Sequence, residues 1–370
     1  MAEQEIPLTL LVIAQSARML AKMGVDAGFA VVAVDCYADV DTRHLAVETF
    51  KIASLSLVEV RPALDALQSR HGLTHVVYGS GFEDYLETLG YLQQSWVVLG
   101  NAVEVFRQFQ DKRAFFAQLA ALFIHHPQTI FTPPSNKEGQ WLRKPFSGAG
   151  GVGIRWHDPH DAADADKFYW QRFVRGEALS MLFLAAAGRV EIVGYNRQWT
   201  RFVDDEKQSF LFAGIASHVN VSDDHRRLLY EWLTKLARVY PLRGLGSLDF
   251  MLAAGCCYVL EINPRIPASA QLYGKQVFRR HLQACLGVMT DDAIEAEPAA
   301  YQVIYARQSL RVPEVVDWPD WALDRPDGGA IIGMGQPICS IIAAGKSPDQ
   351  AAECLSARLQ IIENILNIGF

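Results

Sequence analysis

Two kinds of apolar run organise this chain. Residues 7–13 (P-L-T-L-L-V-I) and 29–35 (F-A-V-V-A-V-D) are short and continuous, as expected for strands covered on both faces. Between them A-Q-S-A-R-M-L-A-K-M-G carries a helical stripe and stops on a glycine. That βαβ opening predicts a small parallel sheet. No glycine fingerprint follows the first strand, which argues against a dinucleotide site, so Asp35 at the end of the second reads as a loop acid or part of a substrate site. Another strand, T-H-V-V-Y-G-S-G-F-E at 74–83, ends in a tight glycine turn. Ligands sit at strand C-termini in open α/β sheets, so Ser80, Gly81 and Glu83 form a candidate substrate loop. The competing reading is a helix start with Glu83 in its first turn.

Further along, residues 187–220 read as strands and loops, and 223–240 as an amphipathic helix. An apolar helical run ends at Leu286, and the acidic, alanine-rich stretch 291–300 reads as a linker. The tail has strands near 301–311 and 329–343 and a helix over 348–366. The fold class is therefore α/β (α+β) in three parts: an N-terminal parallel-sheet domain over 1–100, a central domain over 101–295, and a small β-rich C-terminal domain over 296–370.

Residues 247–265, S-L-D-F-M-L-A-A-G-C-C-Y-V-L-E-I-N-P-R, carry the most chemistry. Alternating runs at 245–252 and 258–263 flank a small-residue turn around Gly255, which predicts a β-hairpin. Parity decides its chemistry. An odd loop puts Asp249, Glu261 and Asn263 on one face and Leu248, Phe250, Leu260 and Ile262 on the other. An even loop would send one carboxylate into the core, at great cost. An odd loop is therefore expected, and it yields a hard, all-oxygen ligand set suited to Mg²⁺ (or Mn²⁺) carrying a nucleotide's phosphates. Arg265 adds a fixed positive charge beside it.

Three other segments bear on this reading. W-L-R-K-P-F-S-G-A-G-G-V-G-I, 141–154, is a short strand carrying Lys144, then Ser147, Gly148, Gly150 and Gly151, with a strand returning at 153–156. Such glycines let successive N–H groups approach an anion, and the returning strand makes the loop a hairpin flap rather than a helix cap. Y-W-Q-R-F-V-R-G-E-A-L-S, 169–180, is a strand, a turn at Gly176, and Glu177. Q-D-K-R-A-F-F-A-Q-L, 110–119, is a charged helix start followed by an apolar stripe.

Together these segments, in this order over residues 100–270, resemble the ATP-grasp superfamily of ATP-dependent carboxylate–amine ligases. The resemblance implies an ATP-grasp fold. It makes Lys112 and Lys144 phosphate-contacting lysines under a mobile flap of Ser147, Gly148, Gly150 and Gly151. Backbone groups around Gln171, Phe173 and Val174 would read adenine, and Glu177 the ribose. Asp249, Glu261 and Asn263 would hold the metal. In the implied reaction a carboxylate attacks the γ-phosphate to give an acyl phosphate, and an amine displaces phosphate. Lys144 and Arg265 are the catalytic residues, Arg265 stabilising the oxyanion. The Gln171-Arg172 pair departs from the family's usual Gln-Glu or Glu-Lys, a change that backbone readout tolerates.

V-V-Y-G-S-G-F-E, the N-R-Q segment and E-I-N-P-R-I-P-A-S resemble ligases of C1-carrier cofactor biosynthesis, which join tyramine or a related amine to glutamate towards methanofuran-type coenzymes. They are also similar to the ligase that makes pyrrolysine precursors. Ser247 stands where D-alanine ligases carry an arginine, which argues against that branch. Two alternatives stay open: an ATP-grasp carboxylase or phosphotransferase, and a non-catalytic nucleotide-binding module.

Composition narrows the partners. A net charge of −7 with no basic cluster argues against nucleic acid, and no stretch has the length of a membrane span. Six scattered cysteines, none at zinc spacing, predict reduced thiols and a cytoplasmic protein. The expected partners are a small-molecule acid and amine, with a homodimer left open.

Overall fold

The computed structural model describes residues 6–134, 140–160, 164–200 and 210–367. The chain opens with β1 (Thr9–Ala14), α1 (Arg18–Asp26), β2 (Ala30–Asp35), α2 (Val40–Leu45), β3 (Glu48–Lys51), α3 (Leu57–His71), β4 (His75–Tyr78), α4 (Leu86–Ser95) and β5 (Val97–Val98). These strands make one sheet in the order β3-β2-β1-β4-β5 with parallel pairing throughout. The sequence reads as continuous apolar runs because both faces are covered: Leu10 and Val12 pack into one core, Leu11 and Ile13 into another. The strand order reverses between β1 and β4, which opens a crevice at their C-terminal ends. Ser80 and Glu83 sit at that crevice.

Next come α5 (Val103–Gln110) and α6 (Lys112–Ala121), then a small antiparallel sheet of β6 (Thr129–Ile130), β7 (Trp141–Pro145), β8 (Arg155–Trp156) and β9 (Phe168–Arg172), ordered β6-β9-β7-β8. Asp111 ends one helix and caps the next, its Oδ1 accepting from the Ala114 N–H at 3.0 Å. The cap holds Lys112 in the first turn of α6.

The remaining strands are β10 (Glu177–Ala186), β11 (Arg189–Thr200), β12 (Phe212–Ala216), β13 (Gly244–Ala253), β14 (Cys256–Asn263), β15 (Ala299–Tyr305), β16 (Leu310–Arg311), β17 (Ala322–Leu323), β18 (Ile331–Ile332) and β19 (Pro337–Ala344). The helices are α7 (Asp223–Val239), α8 (Gln276–Cys285) and α9 (Pro348–Leu366). Eight strands form one antiparallel sheet, β14-β13-β10-β11-β12-β15-β19-β17, and β16 pairs with β18. The tail strands therefore continue the central sheet. The expected strands over 301–311 and 329–343 are each broken in two. Of 187–220, residues 201–209 lie outside the described residues.

The hairpin β13–β14 corrects the parity argument. Its turn is even, Ala254 and Gly255 alone, and both take positive φ, at 48° and 77°. An even turn alone would have put Glu261 on the core face. A β-bulge between Asp249 and Phe250 shifts the register by one, so Asp249 faces Glu261 and Ser247 faces Asn263. The two-residue turn puts Val259 in the core opposite Phe250, and the bulge leaves half-buried Leu260 as the extra residue and brings Ile262 opposite Leu248. The carboxylates share a face, as expected, by a different device.

Candidate active site

Register across the large sheet aligns Glu261, Asp249, Ser180 and Asn196 on four successive strands, β14, β13, β10 and β11. Two carboxylates thus begin a polar row, and Ser247 and Asn263 share their face. Ser247 Oγ donates to Asp249 Oδ1 at 3.1 Å, and Asn263 Nδ2 donates to Asp249 Oδ2 at 3.2 Å. That second bond turns the Asn263 oxygen outward, towards Arg265 Nη2 at 3.5 Å. Burial, then the neighbouring Glu261 charge, pushes the Asp249 carboxyl up to about 7 against hydrogen bonds from Ser247 and Gln198. Two adjacent carboxylates with an outward amide oxygen suit a hard divalent cation. Among the described residues no three or more His, Cys, Asp or Glu side chains are grouped to hold a metal ion. Asn263 and phosphate oxygens would therefore have to complete the coordination.

Cations surround this set. Lys112 Nζ lies 3.9 Å from Glu261 Oε2. Lys144, on β7, donates to Gln171 Oε1 at 2.7 Å, and Gln171 Nε2 donates to Thr129 Oγ1 at 3.1 Å. Burial, with Lys112 adding to it and Glu261 opposing, lowers the Lys144 ammonium to about 8. The nearly buried Arg265 donates from Nε to Glu83 Oε1 at 2.6 Å, across 182 residues of chain. Burial works against the Arg265 cation, but Glu83, Glu261 and Asp249 outweigh it and raise its pKa.

Ser147, Gly148, Gly150 and Gly151 lie in the connection between β7 and β8, an antiparallel hairpin as expected, although the returning strand starts at Arg155. The Phe212 N–H donates to the Gly150 carbonyl at 2.8 Å, so the loop rests against the segment entering β12. A Cβ on Gly151, at φ +78°, would fall 2.0 Å from the Phe210 carbonyl oxygen. Trp156, Phe173 and Phe210 meet beside it, with ring centroids 4.9 Å apart for Trp156–Phe173 and 5.5 Å for Trp156–Phe210.

The adenine-reading expectation needs revision in detail. The Gln171 backbone lies between β6 and β7, and the Phe173 N–H donates to the Gln140 carbonyl at 2.8 Å. The Phe173 carbonyl and the Val174 backbone remain as groups for a base. Glu177 opens β10, is exposed, and stands opposite Leu252. Ser80 binds through its backbone, its carbonyl accepting from the Gln15 N–H at 3.0 Å. Glu83 lies in a 3₁₀ turn, Phe82–Asp84, and accepts the Gly81 N–H on Oε2 at 2.8 Å. Its carboxylate is therefore engaged by protein groups on both oxygens, and its place in a short helical turn agrees with the helix-start reading.

Sequence reasoning missed two groups that brace this site. Asn101 donates to the carbonyls of Arg243 at 2.9 Å and Pro264 at 3.0 Å, and accepts the Arg243 N–H at 2.7 Å. One buried side chain thus ties together both ends of the β13–β14 hairpin, and nothing local in G-N-A marks it. Gln198 lies near enough to Asp249 to favour its carboxylate. The period-two spacing of Asn196 and Gln198 on a strand was a usable signal for it.

Residues 109–269 match the family model of the ATP-grasp domain. No curated protein matches the chain by sequence. Among solved structures, a Rhizobium etli pyruvate carboxylase is similar at 15% identity and TM-score 0.75, over 96% of this chain but only 37% of that one. N5-carboxyaminoimidazole synthetase from Staphylococcus aureus, complexed with ADP, is similar at 15% identity and TM-score 0.69, over 97% of this chain and 98% of its own. The biotin carboxylase domain dimer of Hydrogenobacter thermophilus 2-oxoglutarate carboxylase, with MgADP and bicarbonate, gives 13% identity and TM-score 0.71, over 96% and 90%. The chain has the ATP-grasp fold, with an N-terminal parallel sheet and an antiparallel, β-rich C-terminal portion.

Proposed function

We propose that this protein is an ATP-dependent ligase that joins a carboxylate to an amine, releasing ADP and phosphate. The observation that carries the reading is the convergence of Asp249, Glu261 and Asn263 with Lys112, Lys144 and Arg265. Asp249, Glu261 and Asn263 would hold Mg²⁺, which when bound offsets phosphate charge. Lys112 and Lys144 face the phosphates, and the loop of Ser147, Gly148, Gly150 and Gly151 covers them. The adenine would lie against Phe173 and Val174, with Glu177 near the ribose.

The acid's carboxylate oxygen attacks the γ-phosphorus, the bond to ADP breaks, and an acyl phosphate results. The amine nitrogen then attacks the acyl carbon, and phosphate leaves with the C–O bond pair. Catalysis here is positioning plus electrostatics. Arg265 offers donors to the tetrahedral oxyanion, and the closed loop shields the acyl phosphate from water. Glutamate with a tyramine-like amine, in cofactor biosynthesis, is the finer form of this proposal. It is supported by the resemblance of V-V-Y-G-S-G-F-E and E-I-N-P-R-I-P-A-S. A homodimer belongs to the same proposal, and light scattering of the purified protein tests it.

A second reading, a carboxylase that activates bicarbonate, is favoured by the fold shared with a bicarbonate-bound carboxylase domain. The test is a screen of ADP release over acids, bicarbonate included, each with and without amines and with hydroxylamine as a trap. Acid-dependent hydroxamate and an amide product are expected. ADP release with bicarbonate alone supports the second reading, and no acid-dependent release at all removes both.

A further inference from the structure

We infer that Glu83 is a positioning residue that sets the direction of the Arg265 guanidinium and so links the N-terminal sheet to the chemistry. This deepens the ligase reading and rests on it for Arg265's role. The side chains of both partners are largely buried, 15% exposed for Glu83 and 10% for Arg265. Glu83 Oε1 takes the Arg265 Nε–H at 2.6 Å, and Oε2 takes its own turn's Gly81 N–H at 2.8 Å. The turn itself is fixed from behind, because Gln110 Nε2 donates to the Glu83 carbonyl. The carboxylate therefore cannot rotate without losing a bond. On the far side Arg265 Nη2 reaches the Asn263 oxygen at 3.5 Å.

A guanidinium fixed at Nε by one domain and steered at Nη2 by the hairpin has one orientation, with Nη1 left to meet a substrate oxygen. The β4 turn, reached only by folding the N-terminal sheet against the hairpin, thus completes the site. Each Glu83 carboxylate oxygen already accepts one hydrogen bond from the protein.

The test is Glu83→Gln, which keeps the shape and an acceptor for Gly81 but removes the charge, and Glu83→Ala, which removes both. Two measurements decide. In a heteronuclear NMR spectrum the Arg265 Nε–H cross-peak, identified by its loss in Arg265→Lys, should exchange slowly with water in the wild type. In Glu83→Gln it should shift and exchange fast. With an acid found in the screen, kcat for amide formation should fall at least about thirtyfold while KM for MgATP stays within about twofold. Melting temperature separates this from misfolding: a purely structural role would lower it and move the cross-peak but leave kcat within about twofold. An unmoved cross-peak in folded Glu83→Gln overturns the inference, as does retained turnover. If the cross-peak behaves as expected but no acid–amine pair yields an amide in the wild type, the ligase reading fails and the Glu83–Arg265 clamp stands.

Discussion

Two hairpins contribute to the site, and they are built on opposite physical terms. The β13–β14 pair is braced everywhere. Leu248, Phe250 and Val259 are fully buried beneath it, and β10 runs alongside its whole length. Asn101 and His281 bind its backbone, His281 Nδ1 accepting the Leu245 N–H at 2.9 Å. The β7–β8 pair holds only two register pairs, and Ser147, Gly148 and Gly150 are exposed. Gly148, Gly150, Gly151 and Gly153 all take positive φ. The difference assigns labour. On the proposed reading, the metal ligands sit on the well-braced hairpin, with Arg265 just past its end, where no reorganisation is needed. The loop proposed to cover the nucleotide joins the pair with the fewer ties, as a cover that must open and close would need.

The largest expected effect breaks the rigid hairpin at its chemistry. Glu261→Gln keeps volume and removes a ligand charge from a cleft, so fold and melting temperature should persist. Turnover should drop more than about a hundredfold, beyond what loss of a metal's outer-shell partner costs. Steady-state kinetics of the folded variant, with at least a tenth of kcat remaining, would move the metal elsewhere.

Next is the brace. Asn101→Ala strands the Pro264 carbonyl and the Arg243 N–H, which should cost about 2 kcal/mol in urea unfolding. Because Pro264 stands between Asn263 and Arg265, MgADP should also raise the melting temperature less in this variant than in the wild type. Unchanged stability would show that β10 alone fixes the hairpin.

The flexible hairpin should answer differently. Gly151→Ala puts a Cβ where the Phe210 carbonyl now lies, at a φ that side chains avoid. Roughly a tenfold loss of kcat with little change in unfolding midpoint is expected, since the loop carries little of the core. Gly148→Ala meets nothing closer than 4.0 Å and should cost less, φ strain alone. Equal losses would mean that contact with Phe210 does not matter.

Much of this was legible in one dimension because periodicity is local. The buried parallel strands, the hairpin, the glycine loop and the C-terminal helix follow from neighbours in sequence. The six cysteines are all free. The misses share a cause. The two-residue turn and the bulge each shift the register by one inside strands whose apolar pattern is unchanged, so Val259, placed by the turn, and Leu260, the bulged residue, could not be told apart beforehand. Asn101 and the Glu83–Arg265 pair act across more than a hundred residues of chain, where no spacing rule reaches. The resemblance named backbone groups around Gln171, Phe173 and Val174 for adenine, and of these the Phe173 N–H is taken by the Gln140 carbonyl, a partner that no local pattern marks.

The smallest effect tests whether the two hairpins share one electrostatic field. Lys144, on β7, is lowered from 10.5 to about 8, by burial first and then by Lys112, while Glu261 on the β13–β14 hairpin opposes the shift. Between those two values the unfolded chain keeps the proton that the folded one has lost. Stability should therefore rise with pH across that window, and below it both states are charged and the burial cost is fully present. Phosphates favour the ammonium, so MgADP binding near pH 8 should take up a fraction of a proton and weaken as pH climbs further. Calorimetry in two buffers of different ionisation enthalpy measures that uptake. Lys144→Met should abolish it. Glu261→Gln, by removing the opposing charge, should lower the Lys144 pKa further and move the onset of weakening to lower pH. If that variant leaves the onset unmoved, the lysine does not feel the carboxylate, and the two hairpins act as separate halves.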